Sequence, residues 1–343
     1  MACTHPLTRI EDNKGKITFT GAYIKDNENI KEWKQKLENS PNIKSVKIIP
    51  CNQCIECRLQ RSRDWANRVM CEAQQYKNNY FVTLTYDDRY LPIKTTCNTE
   101  TGEIINGYTL NKMDLKKFHH YLGVYWKRNY NHEGIRYYAC GEYGEINERP
   151  HYHTIIFNLP NLNDLKYYKT TENGDILYTS ETLSKIWGNK GYVIVGEVTW
   201  DSACYVARYV MKKQFGKEAE AYYESKAKIP EFTTMSRMPG IARNYYEENK
   251  YKMYETDELF LPGKDKIIKS KPSKYFDRLY EKDEPKRFKE IKIKRQLTNS
   301  RKTQEQYKSL KSIERIQEQR EIKERQLLER IKTLQRDLEW YYL

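Results

Sequence analysis

The apolar positions of the chain change period several times, and each change predicts an element. Between 55 and 76 they fall at Ile55, Leu59, Ala66, Val69, Ala73 and Tyr76, the stripe of an amphipathic helix. Asn78-Asn79 interrupts it as a turn. Tyr80-Phe81-Val82-Thr83-Leu84-Thr85-Tyr86 is rich in β-branched and aromatic residues and reads as a strand, ended by Asp87, Asp88 and Pro92. Residues 95–109 read as a loop or hairpin around Thr101-Gly102. Asn111 is placed to cap a helix over 111–128, with Leu115, Phe118, His119, Leu122 and Trp126 on one face. Strands follow over 135–140, 151–157 and 191–199, with a polar turn over 144–150 and a helix over 202–213.

The order helix, strand, helix, strand, strand, helix, strand, helix predicts an α+β fold. A central antiparallel sheet with helices packed on one side fits it, close to the split βαβ of ferredoxin-like folds. Residues 1–50 read as short strands and turns. Beyond Phe215 the chain turns polar and is broken by Met238-Pro239-Gly240 and Leu261-Pro262-Gly263. The expected organisation is a core domain over 1–215 with a cysteine-containing N-terminal segment, an irregular appendage of short helices and loops over 216–285, and a charged helical extension over 286–343. In that extension Leu327, Ile331, Leu334, Leu338 and Tyr341 are spaced 4-3-4-3. This is a coiled-coil seam of about two heptads, through which copies of the chain can associate, or the stripe of a single helix lying on the domain.

Charge sharpens the picture. The 343 residues carry 61 Lys and Arg against 47 Asp and Glu, a net charge of +14. Residues 286–343 hold 17 basic and 9 acidic residues against 44 and 38 in the rest, so the excess is concentrated there. A polyanionic partner is expected, nucleic acid first. Thirty tyrosines against nine phenylalanines suit base stacking. No run of 18 apolar residues exists, so no membrane partner is expected, and Met1-Ala2-Cys3-Thr4-His5-Pro6 lacks the apolar core of a signal peptide. Eight cysteines are too sparse for a disulfide scaffold, which makes a reducing cytoplasm the expected compartment.

Three clusters carry candidate chemistry. In a strand His151 and His153 point to one face, where two imidazoles can bind one divalent metal. Phosphate chemistry with Mg²⁺ or Mn²⁺ calls for an oxygen ligand as well, and the preceding strand ends Gly141-Glu142-Tyr143-Gly144-Glu145. Glu142 is the first choice and Glu145 the alternative; either also reads as a solvated turn acid. On a helical wheel Tyr205, Arg208, Tyr209 and Lys212 share one face, while Ala203, Val206, Ala207 and Val210 form a small apolar stripe that packs on the sheet. Two phenols beside two cations suit a nucleophile whose ordinary pKa is about 10 and which needs electrostatic help. The same pattern also suits half-buried tyrosines on an ordinary amphipathic helix. Finally Cys51, Cys54 and Cys57 open the first helix. A structural zinc needs a fourth ligand, for which Cys3 or His5 is available if the N-terminus folds back. An iron–sulfur cluster or plain thiols are the alternatives.

The strand Phe81-Val82-Thr83-Leu84-Thr85-Tyr86, then Arg149-Pro150-His151-Tyr152-His153, then Tyr205-Val206-Ala207-Arg208-Tyr209-Val210-Met211-Lys212-Lys213 resemble the three ordered motifs of HUH endonucleases. The paired tyrosines resemble those of microvirus replication initiators. Pro50-Cys51-Asn52-Gln53-Cys54, Cys57-Arg58, Gly141-Glu142-Tyr143-Gly144 and Met235-Ser236-Arg237-Met238-Pro239-Gly240-Ile241 resemble the gokushovirus-type branch. The likeness covers about residues 1–285. It implies rolling-circle replication: nicking of one strand at an origin, in single-stranded or supercoiled circular DNA, a 5′-phosphotyrosine, and rejoining by strand transfer without ATP. It further implies His151 and His153 as metal ligands, Tyr205 and Tyr209 as nucleophiles, and Lys212 as the lysine following a tyrosine by three. The chain has no G-x-x-x-x-G-K-[ST] motif, so a host helicase and DNA polymerase are implied partners. The readings set against this one are a transposase or relaxase with the same chemistry, and a nucleic-acid-binding protein without catalysis.

Overall fold

The computed structural model describes residues 3–21, 39–97, 101–130, 134–144, 147–172, 174–208, 217–263, 266–309 and 318–330. They fall into two compact units, one drawn from Met1–Gln60 and Lys289–Leu338, the other from Arg61–Phe288.

In the first unit β1 (Leu7–Asp12) lies between β2 (Ile17–Gly21) and β3 (Ile43–Ile49) in an antiparallel sheet. This sheet has little core of its own: Thr8 and Val46 are its buried residues, and Ile17 and Phe19 are exposed. Residues 318–330 are helical and belong to the same unit, with Glu324 paired to His5 at 2.8 Å and Lys323 to Glu56 at 2.8 Å. Of the predicted heptad seam Leu327 is described; Ile331, Leu334, Leu338 and Tyr341 lie outside the described residues.

Helix α1 (Ile55–Ala73) leads in sequence from the first unit into the second. There β4 (Asn79–Leu84) is followed by the separate hairpin β5 (Ile93–Cys97) and β6 (Ile104–Tyr108), then α2 (Lys112–Tyr130), β7 (Arg136–Tyr143) and β8 (Pro150–Phe157). The side-chain oxygen of Asn111 accepts from the Met113 amide at 3.0 Å, the cap that its position predicts. Next come the hairpin β9 (Leu165–Thr170) and β10 (Ile176–Ser180), α3 (Glu181–Ile186), β11 (Val193–Glu197) and α4 (Trp200–Arg208). The seven-stranded sheet runs β12-β7-β8-β4-β11-β10-β9, antiparallel at each junction, with β12 (Phe232–Met235) at one edge. Its centre, β7-β8-β4-β11, is the split βαβ order: β8 is inserted between β4 and β7, which α2 connects. The fold is thus α+β with a central antiparallel sheet, as the sequence pattern predicts.

Two expectations are corrected. Helices cover both faces of the sheet rather than one. On one face Val82, Leu84, Ala139, Tyr152, Ile156, Val193 and Val195 pack with Leu115, Phe118, Leu122, Trp126, Leu183 and Trp187. On the other, Trp65 of α1 stacks on Tyr138 at 5.0 Å and Tyr205 of α4 meets His153. The physical cause is that every residue of β8 is buried, so the strand has no solvent face to leave bare. Second, residues 216–285 are not irregular where they are described. They contain α5 (Lys217–Ser225), β12, α6 (Arg243–Thr256), the hairpin β13 (Leu259–Pro262) and β14 (Ile267–Ser270), and α7 (Lys274–Asp283). Helix α8 (Pro285–Ser309) then begins the charged extension. Among the described residues no helix is long and apolar enough to cross a membrane.

Candidate metal centre

The register of the sheet assembles the site. Glu142 on β7 is paired with His151 on β8, and Cys140 with His153. On the other side of β8, Thr83 of β4 is paired with His153. Period-two alternation sends Glu142, His151, His153 and Thr83 to one face. There Oε1 of Glu142 lies 2.7 Å from Nε2 of His151 and 3.0 Å from Nε2 of His153. All three groups are buried, the carboxylate and His153 at 1% exposure each. Glu142 therefore belongs to the strand and not to a turn, while Glu145 lies outside the described residues.

The far nitrogens of both rings are also engaged. Nδ1 of His151 is 3.0 Å from the Arg149 carbonyl, an acceptor, so this nitrogen carries the proton and donates. Nδ1 of His153 meets the Thr83 hydroxyl at 2.9 Å. With its proton on Nδ1, each neutral ring turns the lone pair of Nε2 toward Glu142. Phe81 stacks on His153 at 5.6 Å and 7° between planes, which fixes that ring further. Arg149 is held in turn by Asp88 at 2.5 Å and by the Tyr86 carbonyl at 2.8 Å.

The donor set fits a small divalent cation. Two imidazole nitrogens and a carboxylate oxygen lie within 4.8 Å of one another. Ligands at about 2.1 Å around an octahedral ion sit roughly 3 Å apart at adjacent positions, close to both oxygen–nitrogen separations. A buried carboxylate facing two nitrogen lone pairs also needs positive charge between them, which such an ion supplies.

Tyr205 of α4 brings its ring edge to His153, with centroids 5.0 Å apart, and to Phe81 at 6.3 Å. It is half-buried, whereas Ala203, Val206 and Ala207 are buried against the sheet as the helical stripe predicts. The phenol is therefore turned to the histidine face and not away from the sheet. Arg208 is the last residue of α4, and Tyr209, Val210 and Lys212 lie outside the described residues.

Tyr152, between the histidines, points to the opposite face. Its hydroxyl accepts from the Asn111 amide at 2.7 Å and meets the Asn111 carbonyl and the Tyr86 hydroxyl, both at 3.0 Å. It ties the start of α2 to the back of the metal strand. Gly141 makes room on that face: a Cβ there would come within 2.8 Å of the Phe232 ring. The parts played by Thr83, the Arg149 carbonyl and Phe81 escape sequence reasoning, because they depend on strand pairing that one sequence does not display.

Elsewhere the cysteines converge. Cys3, Cys51, Cys54 and Cys57 bring their sulfurs within 4.8 Å of one another. Cys3 is thus the fourth member, whereas the His5 ring pairs with Glu324.

Fold and site together define an α+β protein with a His-x-His and glutamate centre on a central strand and a tyrosine helix beside it. Residues 79–214, which contain this assembly, match the family of replication-associated protein ORF2. The chain is 37% identical over 240 residues to replication-associated protein ORF2 of Spiroplasma virus 4, covering 68% of each chain. It is 32% identical over 250 residues to replication-associated protein VP4 of Bdellovibrio phage phiMH2K, covering 71% of each. Replication-associated protein ORF4 of Chlamydia phage 1 is 31% identical over 168 residues, which are 48% of this chain and 38% of that relative. No solved structure matches the chain. The chain belongs to the family of microvirus replication-associated proteins.

Proposed function

We propose that the protein initiates rolling-circle replication by nicking one strand of DNA at the phage origin and later rejoining it, as an HUH endonuclease. The observation that carries this reading is the single oxygen of Glu142 set between His151 and His153, with the Tyr205 ring against His153. In this reading Glu142, His151 and His153 hold one Mg²⁺ or Mn²⁺ ion. When bound, that ion polarises the scissile phosphate and offsets charge that develops on its oxygens.

The remaining work falls to the chain. The hydroxyl oxygen of Tyr205, or of Tyr209, attacks the phosphorus. The bond to the 3′ oxygen breaks, and the tyrosine retains the 5′ phosphate while its proton passes to solvent or a nearby base. The 3′ hydroxyl so released primes synthesis. Attack by a 3′ hydroxyl on the phosphotyrosine reverses the exchange and closes the circle, so the ester bond is conserved and no ATP is consumed. Arg208 contacts the DNA backbone, and Lys212 stabilises charge on the reacting phosphate. Strand separation and synthesis draw on host helicase and polymerase in the bacterial cytoplasm.

The direct test is cleavage of a 5′-labelled, origin-containing single strand with and without Mn²⁺. Metal-dependent cleavage at one position supports the proposal. Absence of cleavage across origin sequences tiled from the phage genome defeats it, as does undiminished cleavage by the His153→Ala variant.

A further inference from the structure

Three backbone amides aim at the sulfurs of the cysteine cluster. The amide of Cys51 donates to Sγ of Cys3 at 3.3 Å, and those of Gln53 and Cys54 donate to Sγ of Cys51 at 3.4 and 3.2 Å. The turn that delivers them places Asn52 in the left-handed region, at φ 61°. Amides donating to sulfur favour thiolates over thiols, and thiolates packed together require a cation.

Sulfur spacing identifies the kind of cation. Sγ of Cys3 is 3.5 Å from Sγ of Cys51 and 3.7 Å from that of Cys54. Four thiolates about 2.3 Å from a tetrahedral zinc ion sit about 3.8 Å apart along each edge. A multi-iron cluster holds its cysteines farther apart, around an inorganic core, so this compact set fits a single ion.

The surrounding unit explains the need for it. The sheet β2-β1-β3 buries one Thr and one Val and leaves Ile17 and Phe19 exposed, too little apolar burial to hold itself. A metal at the cluster joins Cys3, four residues before β1, to the start of α1 and closes a 48-residue separation between Cys3 and Cys51.

We infer that Cys3, Cys51, Cys54 and Cys57 bind one structural Zn²⁺ that fastens the N-terminal sheet to the start of α1. Binding releases the thiol protons to solvent and needs no oxidant. The inference does not depend on the nucleic-acid chemistry proposed above.

The test uses the full chain, purified under reducing conditions without a metal-affinity tag. Elemental analysis is expected to find one zinc per chain, kept by the His151→Ala/His153→Ala variant and lost by Cys57→Ser. Cobalt exchange is expected to give an intense thiolate-to-cobalt absorption band. Because Cys57→Ser can fail to fold, thiol-reagent titration of the wild type supplies a second readout. Four slow thiols should become fast together when a strong chelator is added. Absence of stoichiometric zinc, bound iron in its place, thiol rates indifferent to chelator, or a mass two hydrogens low from a disulfide among the four would overturn the assignment.

Discussion

Oε1 of Glu142 stands 2.7 Å from Nε2 of His151, and the two residues face each other directly across the β7–β8 ladder. That pairing means that backbone register, and not a mobile loop, sets the ligand spacing. Glu142→Gln keeps the shape and removes the charge. Mn²⁺ affinity measured by calorimetry is expected to fall by at least about 10–100-fold, the range seen for removal of mere supporting groups, with the melting temperature of the chain largely kept. Unchanged affinity would remove Glu142 from the ligand set.

Thr83 tests the orientation of His153. Thr83→Val deletes the hydroxyl that meets Nδ1 of His153 at 2.9 Å while preserving side-chain size. Mn²⁺ affinity is expected to drop by roughly 10–100-fold. An effect on stability alone would mean that Thr83 does not orient the ring for metal.

Tyr152 gives the opposite signature. Tyr152→Phe leaves the Asn111 amide without its 2.7 Å acceptor behind the sheet. Denaturant unfolding is expected to show a loss of about 1–3 kcal/mol, with Mn²⁺ affinity within about twofold of wild type.

His119 makes stability depend on pH. Its ring is buried, stacked 3.7 Å from Tyr137, with Nε2 2.9 Å from the Thr154 hydroxyl. Burial pushes its pKa down from 6.5 to about 3. The folded state therefore holds the ring neutral while the unfolded state takes up a proton as pH falls below 6.5. The stabilising contribution is full above that value and is lost on acidification toward pH 3, at up to about 1.4 kcal/mol per pH unit. Unfolding midpoints of wild type and His119→Gln, measured across this range, should differ in slope, with the wild type steeper.

Much of this was legible in the sequence because local pattern and final structure agree. Asn111 caps α2, the five predicted apolar-face residues of that helix are its buried ones, and the strands around Val82 and Ile155 lie at the sheet centre. Ala203, Val206 and Ala207 are buried as their spacing requires. The hairpin β9–β10 escaped notice because its edge strands are mostly exposed, Tyr167 at 65%, so neither carries an alternating apolar signal. Strand β12 escaped because four half-buried residues, Phe232 to Met235, gain their role from pairing with β7. At the site, the histidines and Glu142 follow from alternation and a hairpin. Thr83 and the Arg149 carbonyl depend on long-range register and backbone direction.

The central claim is that a tyrosine beside the His-x-His and glutamate centre takes the DNA phosphate. The most direct measurement is mass spectrometry of the protein after incubation with Mn²⁺ and an origin-containing single strand, followed by peptide mapping. The account predicts a nucleotide joined through its 5′ phosphate to Tyr205 or Tyr209, with no adduct in the Tyr205→Phe/Tyr209→Phe variant or in His153→Ala. An adduct on neither tyrosine, or one formed equally well by the double variant, would contradict it.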